Sequence, residues 1–182
     1  MYALVEDAVA LHLHAPHVAL VIRPESAADA ADIEALHDHA FGPGRYVRTA
    51  SRLRERVAPD PDLSLVATLG GRFAGSIRLT PITIGAEPAL LLGPLAVEPD
   101  FERRGIGRAL VRTSLAEAAE RGHRLVLLVG DAGYYGPLGF HAVAPEKIRL
   151  PGPADPKRVL LAELVEGAAA TAEGEVAGTR WS

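Results

Sequence analysis

The sequence predicts a mixed α/β fold in which antiparallel hairpins lead into one parallel βαβ unit. Three observations carry that prediction. Residues 63–69 and 73–84 are strand-like runs joined by a turn at Gly70-Gly71, the pattern of a hairpin. Residues 89–131 read as strand, glycine-bearing basic turn, amphipathic helix and strand, the order of a parallel unit. Leu125–Val129 is an unbroken apolar run, as expected of a strand covered on both faces.

At 182 residues the chain is long enough to bury a real core as one domain. Hydrophobic residues make up 48% and charged residues 23%, the balance of a soluble globular protein. A net charge of −4 argues against a general nucleic-acid surface, so basic residues count only where they cluster. Cysteine is absent, which excludes a disulfide framework, a thiolate zinc site and a cysteine nucleophile. Residues 1–17 contain no Lys or Arg and carry Glu6 and Asp7, unlike a secretory leader. No uninterrupted apolar run approaches the ~20 residues of a membrane span. The expected location is the cytoplasm, with no membrane or nucleic-acid partner.

Residues 1–17 are read as an N-terminal extension. His12, His14 and His17 lie there without the carboxylates that would complete a metal site, so no metal is expected. Val18–Ile22 is the first strand, ended by Arg23-Pro24. Ser26 caps a helix, with Asp29 in the place of the usual capping-box Glu, and Ile33, Leu36 and Ala40 form its apolar stripe. His37 and His39 point to different faces of that helix and do not make a joint ligand pair. Phe41–Tyr46 is a loop. A second helix over about 47–57 carries Arg48, Arg52, Arg54 and Arg56, either as a solvated face or as a wall of a substrate pocket.

Pro59 and Pro61 end that helix, and the hairpin follows. The next strand, 89–97, contains Gly93-Pro94, and proline cannot donate to a sheet ladder. A bulge there twists the strand away from its neighbour and frees backbone groups for an extended ligand carrying amides. The helix from about 105 to 121 buries Ile106, Leu110, Leu115 and Ala118. Residues 131–140 form a short helix or turn before a strand near 140–144, 145–156 is a proline-rich loop, and Arg158–Leu164 is the last strand of a domain spanning 18–165. Residues 166–182 are read as a partly disordered tail, with a docked strand at Val176–Trp181 as the alternative.

The turn at 103–108 is the chemical signal. N–H groups at a helix start have no intrahelical partner, and the helix dipole places positive charge there. Gly105 and Gly107 remove side chains that would keep a phosphate away, while Arg103, Arg104 and Arg108 add full charges. The turn suits a diphosphate. A Walker loop fails because Arg108-Ala109 follows Gly107. A dinucleotide fingerprint retains Asp131 at the end of the next strand, but Leu110 replaces its third glycine and seven residues separate Val97 from Gly105. A turn that merely starts a helix leaves three arginines unexplained.

Leu95-Ala96-Val97-Glu98-Pro99, Arg103-Arg104-Gly105-Ile106-Gly107-Arg108-Ala109-Leu110 and Tyr135-x-x-x-Gly139-Phe140, in that order, resemble the GNAT superfamily of acetyl-CoA-dependent N-acetyltransferases. Leu128-Val129-Gly130-Asp131 and Arg149-Leu150-Pro151-Gly152-Pro153 are similar to its bacterial YhbS-like branch. The resemblance covers roughly Val18–Leu164. Glu102 departs from the Gln or Arg that the family's turn often carries, an unfavourable acid that three adjoining arginines offset.

That resemblance implies a mixed, mostly antiparallel central sheet of six to seven strands, with helices on both faces and a parallel splayed pair. It implies acetyl-CoA as cosubstrate, its diphosphate held by N–H groups of residues 103–108. The pantetheine arm would run along the Leu95-Ala96-Val97 backbone. An amine would attack directly, for neither a cysteine nor a Gly-x-Ser-x-Gly elbow is present to form an acyl-enzyme. Tyr135 stands in the family's position for the acid that protonates the departing thiolate, with Tyr134 as its substitute. A phenol near 10 giving its proton to a thiol near 8.5 runs uphill by about 2 kcal/mol, so the transfer is coupled to C–S cleavage or Tyr135 is acidified. Glu98 is the candidate base for the amine. A non-catalytic acyl-CoA-binding module is the alternative, with a nicotinamide enzyme behind it. Neither the acceptor amine nor a homodimer is legible in the residues.

Overall fold

The computed structural model describes residues 18–42 and 57–179. The N-terminal extension, the arginine-bearing helix before residue 57, most of the loop preceding it and Trp181 lie outside the described residues. The chain runs β1 (Leu20–Pro24), α1 (Ala30–Phe41), β2 (Leu65–Leu69), β3 (Arg72–Ile84), β4 (Glu87–Val97) and α2 (Ile106–Glu120). It continues through β5 (Leu125–Val129), α3 (Ala132–Tyr135), β6 (His141–Ala142), β7 (Ile148–Arg149), β8 (Val159–Glu163) and β9 (Gly174–Gly178).

The sheet order is β1-β2-β3-β4-β5-β8-β6, with β9 paired to both β3 and β7. Pairing is antiparallel except between β4 and β5 and between β7 and β9. Among the described residues nine strands stand where six to seven are expected, because two-residue β7 and the C-terminal β9 add a flap that sequence periodicity is too short to show. β3 is long enough to serve two neighbours on one edge: Leu65–Leu69 cover its first part, and Val176–Gly178 pair with Ile82–Ile84. The C-terminal segment is therefore tied down, with Ala168, Ala172 and Val176 buried.

Alternation along the strands sends side chains to two separate cores. Leu90, Leu92, Val126 and Leu128 join Ile106, Leu110 and Ala118 of α2 on one face. Ala89, Leu91, Leu125 and Leu127 face the other way and pack with Ile148, Val159 and Val176. Leu115 is only partly buried, at the margin of the first core. At the α1 entrance the Asp29 carboxylate accepts hydrogen bonds from the Ser26 N–H and hydroxyl, both at 2.8 Å, and from Arg23 at 2.7 and 2.8 Å. His37 is buried with its Nε2 3.2 Å from the Ser76 Oγ, whereas His39 is exposed. Among the described residues no His, Asp and Glu cluster could hold a metal, and no helix is long and apolar enough to cross a membrane.

Candidate active site at the parted strands

β4 is paired to β3 from Glu87 to Val97, but to β5 only at Leu90–Val126 and Leu91–Leu127. Past Leu91 the two parallel strands separate. The register supplies the cause: three steps along β4, Leu92 to Leu95, face two along β3, Leu79 to Ile77. The extra residue falls at Gly93-Pro94, where Gly93 has φ 123° and the peptide is cis. A bulge raises local twist, so the end of β4 swings clear of β5 while remaining hydrogen-bonded to β3.

At the mouth of this gap the chain passes through a 3-10 turn, Pro99–Phe101, to the start of α2. Arg103 (φ 59°) and Gly105 (φ 82°) both take the left-handed conformation, uncommon for a residue with a side chain. Gly105 is the N-cap and has no side chain to offer, so the first N–H groups of α2 are left for another acceptor. A Cβ on Gly105 would meet nothing within 4 Å, so backbone conformation, not crowding, requires this glycine. Gly107 is the opposite case: a Cβ there would lie 2.5 Å from the Tyr134 hydroxyl and 3.5 Å from Val97 Cγ2.

Arg103, Arg104 and Arg108 are exposed, and none of them makes an ion pair among the described residues. The Arg104 guanidinium stands 5.8 Å from the Phe101 ring centre and that of Arg108 5.9 Å from the Tyr134 ring. Exposed Glu102 adjoins them. The arrangement fits a polyanion: free N–H groups, unpaired guanidinium groups and open space over Gly105 converge at one corner. Leu95, Val97, Tyr134 and Tyr135 all pack against the α2-side core, and Ala96 between them is buried opposite Ser76.

Asp131 caps α3 by accepting the Tyr134 N–H at 2.9 Å. The residue that a dinucleotide site would use on a ribose is thus engaged in starting a helix. Tyr135 stacks edge-on with Tyr134 at 4.8 Å and with Phe140 at 5.7 Å, ring centre to ring centre. Burial pushes its phenol up to about 12, with Tyr134 adding to the rise and the Arg158 charge opposing it. The environment does not acidify Tyr135, which removes one of the two routes open to it as an acid. Glu98 sits half-buried one residue past Val97, its N–H donating to the Ala74 carbonyl at 2.9 Å. It therefore stands at the helix-start end of the gap, away from the point where the strands part.

Sequence reasoning missed three contacts of these groups. Gly130 supports the Tyr135 ring, Arg158 donates from Nε to the Gly130 carbonyl at 3.4 Å, and Tyr134 covers Gly107. Only the Tyr134-Tyr135 pair left a sign in the sequence, since adjacent helical residues cannot face the same atom. On the opposite face, a cavity of about 310 Å³ opens beside β8. Val143, Ile148, Leu150, Ala154 and Val159 line it together with Arg149, and Val159 pairs directly with Val129 at the end of β5.

The acetyltransferase (GNAT) family model matches residues 30–140. The N-acetyltransferase YjhQ of Escherichia coli K12, itself uncharacterized, is 34% identical over 123 residues, 65% of this chain and 68% of that protein. The uncharacterized N-acetyltransferase YhbS of the same strain is 31% identical over 133 residues, 71% and 78% of the two chains. The solved structure of E. coli YhbS in complex with CoA superposes with a TM-score of 0.77 at 26% identity, covering 92% of this chain and 94% of that one. A GNAT acetyltransferase of Brucella melitensis in complex with acetyl-CoA gives 0.58 at 32% identity, over 84% and 99%. With the parted strands, the bulge and the uncapped helix start in agreement, this chain belongs to the GNAT family of acetyltransferases.

Proposed function

We propose that the protein moves an acetyl group from acetyl-CoA to a primary amine of a small molecule or peptide, by direct attack in a ternary complex. The parting of β4 from β5 beside an uncapped, arginine-ringed helix start is the observation that carries this reading. The N–H groups of the 103–108 turn hold the diphosphate, with Arg103, Arg104 and Arg108 neutralising it. The free edge of Leu95, Ala96 and Val97 receives the pantetheine amides as a further strand would be received. When bound, acetyl-CoA supplies the activated thioester, and a main-chain N–H of this stretch polarises its carbonyl.

Tyr135 gives its hydroxyl proton to the departing sulfur. With the phenol at about 12 and a thiol near 8.5, a stepwise transfer would run uphill by about 5 kcal/mol, so proton movement accompanies C–S cleavage. Glu98 takes the proton of the attacking amine, through water in view of its place past Val97. The acceptor approaches from the face opposite α2, where the cavity beside β8 lies. Its volume of about 310 Å³, with aliphatic side chains beside Arg149, suits an amine that carries both an apolar part and an acidic or polar group.

Titration calorimetry with acetyl-CoA tests the first half, and one-site binding is expected. CoA release measured across a panel of primary amines tests the second. Binding without turnover on any amine would restore the non-catalytic acyl-CoA-binding alternative, and no heat with acetyl-CoA would remove both readings.

A further inference from the structure

We infer that Tyr134 is a cofactor-holding residue whose hydroxyl donates a hydrogen bond to the diphosphate at the start of α2, while its neighbour Tyr135 serves the chemistry. The inference rests on the acetyl-CoA site described above and divides the labour within it. Consecutive residues of a helix point about 100° apart, so two adjacent tyrosines cannot reach the same atom. They part accordingly: the Tyr135 ring goes to Gly130, and the Tyr134 hydroxyl goes to Gly107.

Three observations meet at that hydroxyl. It lies 2.5 Å from the place a Cβ of Gly107 would occupy, and Val97 Cγ2 lies 3.5 Å from the same place. The end of β4, the first turn of α2 and the phenol thus form one corner, at the diphosphate end of the gap. Among the described residues the hydroxyl has no hydrogen-bond partner, although the ring is half-buried and its main-chain N–H is bound by Asp131. The Arg108 guanidinium stands 5.9 Å from the ring centre, so an anion at this corner would face a cation and a hydroxyl together. Burial raises the phenol's pKa against the opposing charge of Arg108, which keeps it protonated and able to donate. A hydroxyl bonded to a phosphate oxygen makes a charge-assisted hydrogen bond, the stronger kind. The missing Cβ at Gly107 thus makes room for the phenol, while the open space for a phosphate lies over Gly105.

The experiment compares wild type, Tyr134→Phe and Tyr135→Phe by calorimetry with CoA, and by competition with ADP, which carries the diphosphate without the pantetheine arm. Tyr134→Phe is expected to weaken both ligands by about tenfold or more. Tyr135→Phe is expected to leave both affinities unchanged. Equal CoA affinity in wild type and Tyr134→Phe would overturn the inference. Weakened CoA with unaltered ADP would overturn the diphosphate as the partner. No binding of CoA by wild type would overturn the site reading itself, and this inference with it. A ligand-free check uses melting temperature: Gly107→Ala should lower it in the presence of Tyr134 and not in a Tyr134→Ala background. An equal drop in both would show that the phenol places no demand on the glycine.

Discussion

The ring of Tyr135 rests on Gly130: a Cβ built on that glycine would stand 2.5 Å from the tyrosine Cε2 and 2.8 Å from its Cδ2. Gly130 is in turn held from both sides by one residue. Its N–H donates to the Arg158 carbonyl at 2.9 Å, and its own carbonyl accepts from Arg158 Nε at 3.4 Å. The proposed acid therefore stands on a platform clamped by the approach to β8, and the first prediction follows from that contact.

Gly130→Ala should displace the Tyr135 ring, because an aromatic face held by Tyr134 and Phe140 has little room to yield. Turnover is expected to fall by about 10²-fold, the scale of a catalytic group misplaced by roughly an ångström. Affinity for acetyl-CoA should persist, as the helix-start site lies elsewhere. Single-turnover kinetics with parallel calorimetry check both statements.

Tyr135→Phe should lower turnover by about 10² to 10⁴ with acetyl-CoA binding intact. The pH dependence has a definite sign. The acid must be protonated to act, and burial lifts the phenol to about 12, so its own ionisation removes activity only as pH rises through that value. A kcat profile recorded from pH 7 to 10 should show no falling alkaline limb. A limb near the ordinary tyrosine value of about 10 would place the acid elsewhere.

Glu98→Gln should lower kcat/KM for the amine by about tenfold, less than the hundredfold or more lost with a directly placed base. The smaller figure reflects its place past Val97, from which a proton must travel through water. Rates of CoA release measured at subsaturating amine would reveal it, and an unaltered rate would remove Glu98 from the reaction.

Asp29 supplies a stability test. The Arg23 guanidinium holds its carboxyl well below the usual range, with the Ser26 hydroxyl and N–H assisting and burial opposing. A depressed carboxyl stabilises the folded state above its unfolded pKa of about 3.9 and loses that contribution as pH falls below it. Asp29→Asn should therefore cost about 1–3 kcal/mol at pH 7. The gap between variant and wild type should hold from pH 7 down to about 4 and begin to narrow as urea melts are repeated toward pH 3, vanishing only below the still lower folded-state value.

Two hydroxyls, Thr80 Oγ1 and Ser114 Oγ, are buried without a partner among the described residues. A buried hydroxyl left unbonded costs about 1–3 kcal/mol, and alanine is the better helix former. Ser114→Ala on α2 and Thr80→Val on β3 should each raise the melting temperature without altering acetyl-CoA affinity. A fall in either would show that its hydroxyl has a partner in solution.

Much of the scaffold was legible in the residues because local rules decide it. Gly70-Gly71 placed the hairpin turn, Gly93-Pro94 the bulge, and Gly105 the start of α2. Each depends on the conformational limits of one or two residues. The strand at Leu125–Val129 was recognised with the correct ends, since an apolar run covered on both faces needs no partner to be seen.

The rest depends on residues far apart in the chain. Nothing local to Gly107 shows that a phenol from α3 will lie over it, and nothing near Tyr135 shows that its hydroxyl will be buried and its pKa raised in consequence. Pairing of Val176 with Ile84 and of Ile148 with Gly174 joins segments too short to carry a periodic signal. Composition and spacing decide backbone geometry and charge within a few residues of a turn. Side-chain encounters, solvent exclusion and the electrostatic surroundings of a hydroxyl exist only after the sheet has closed and brought those distant groups together.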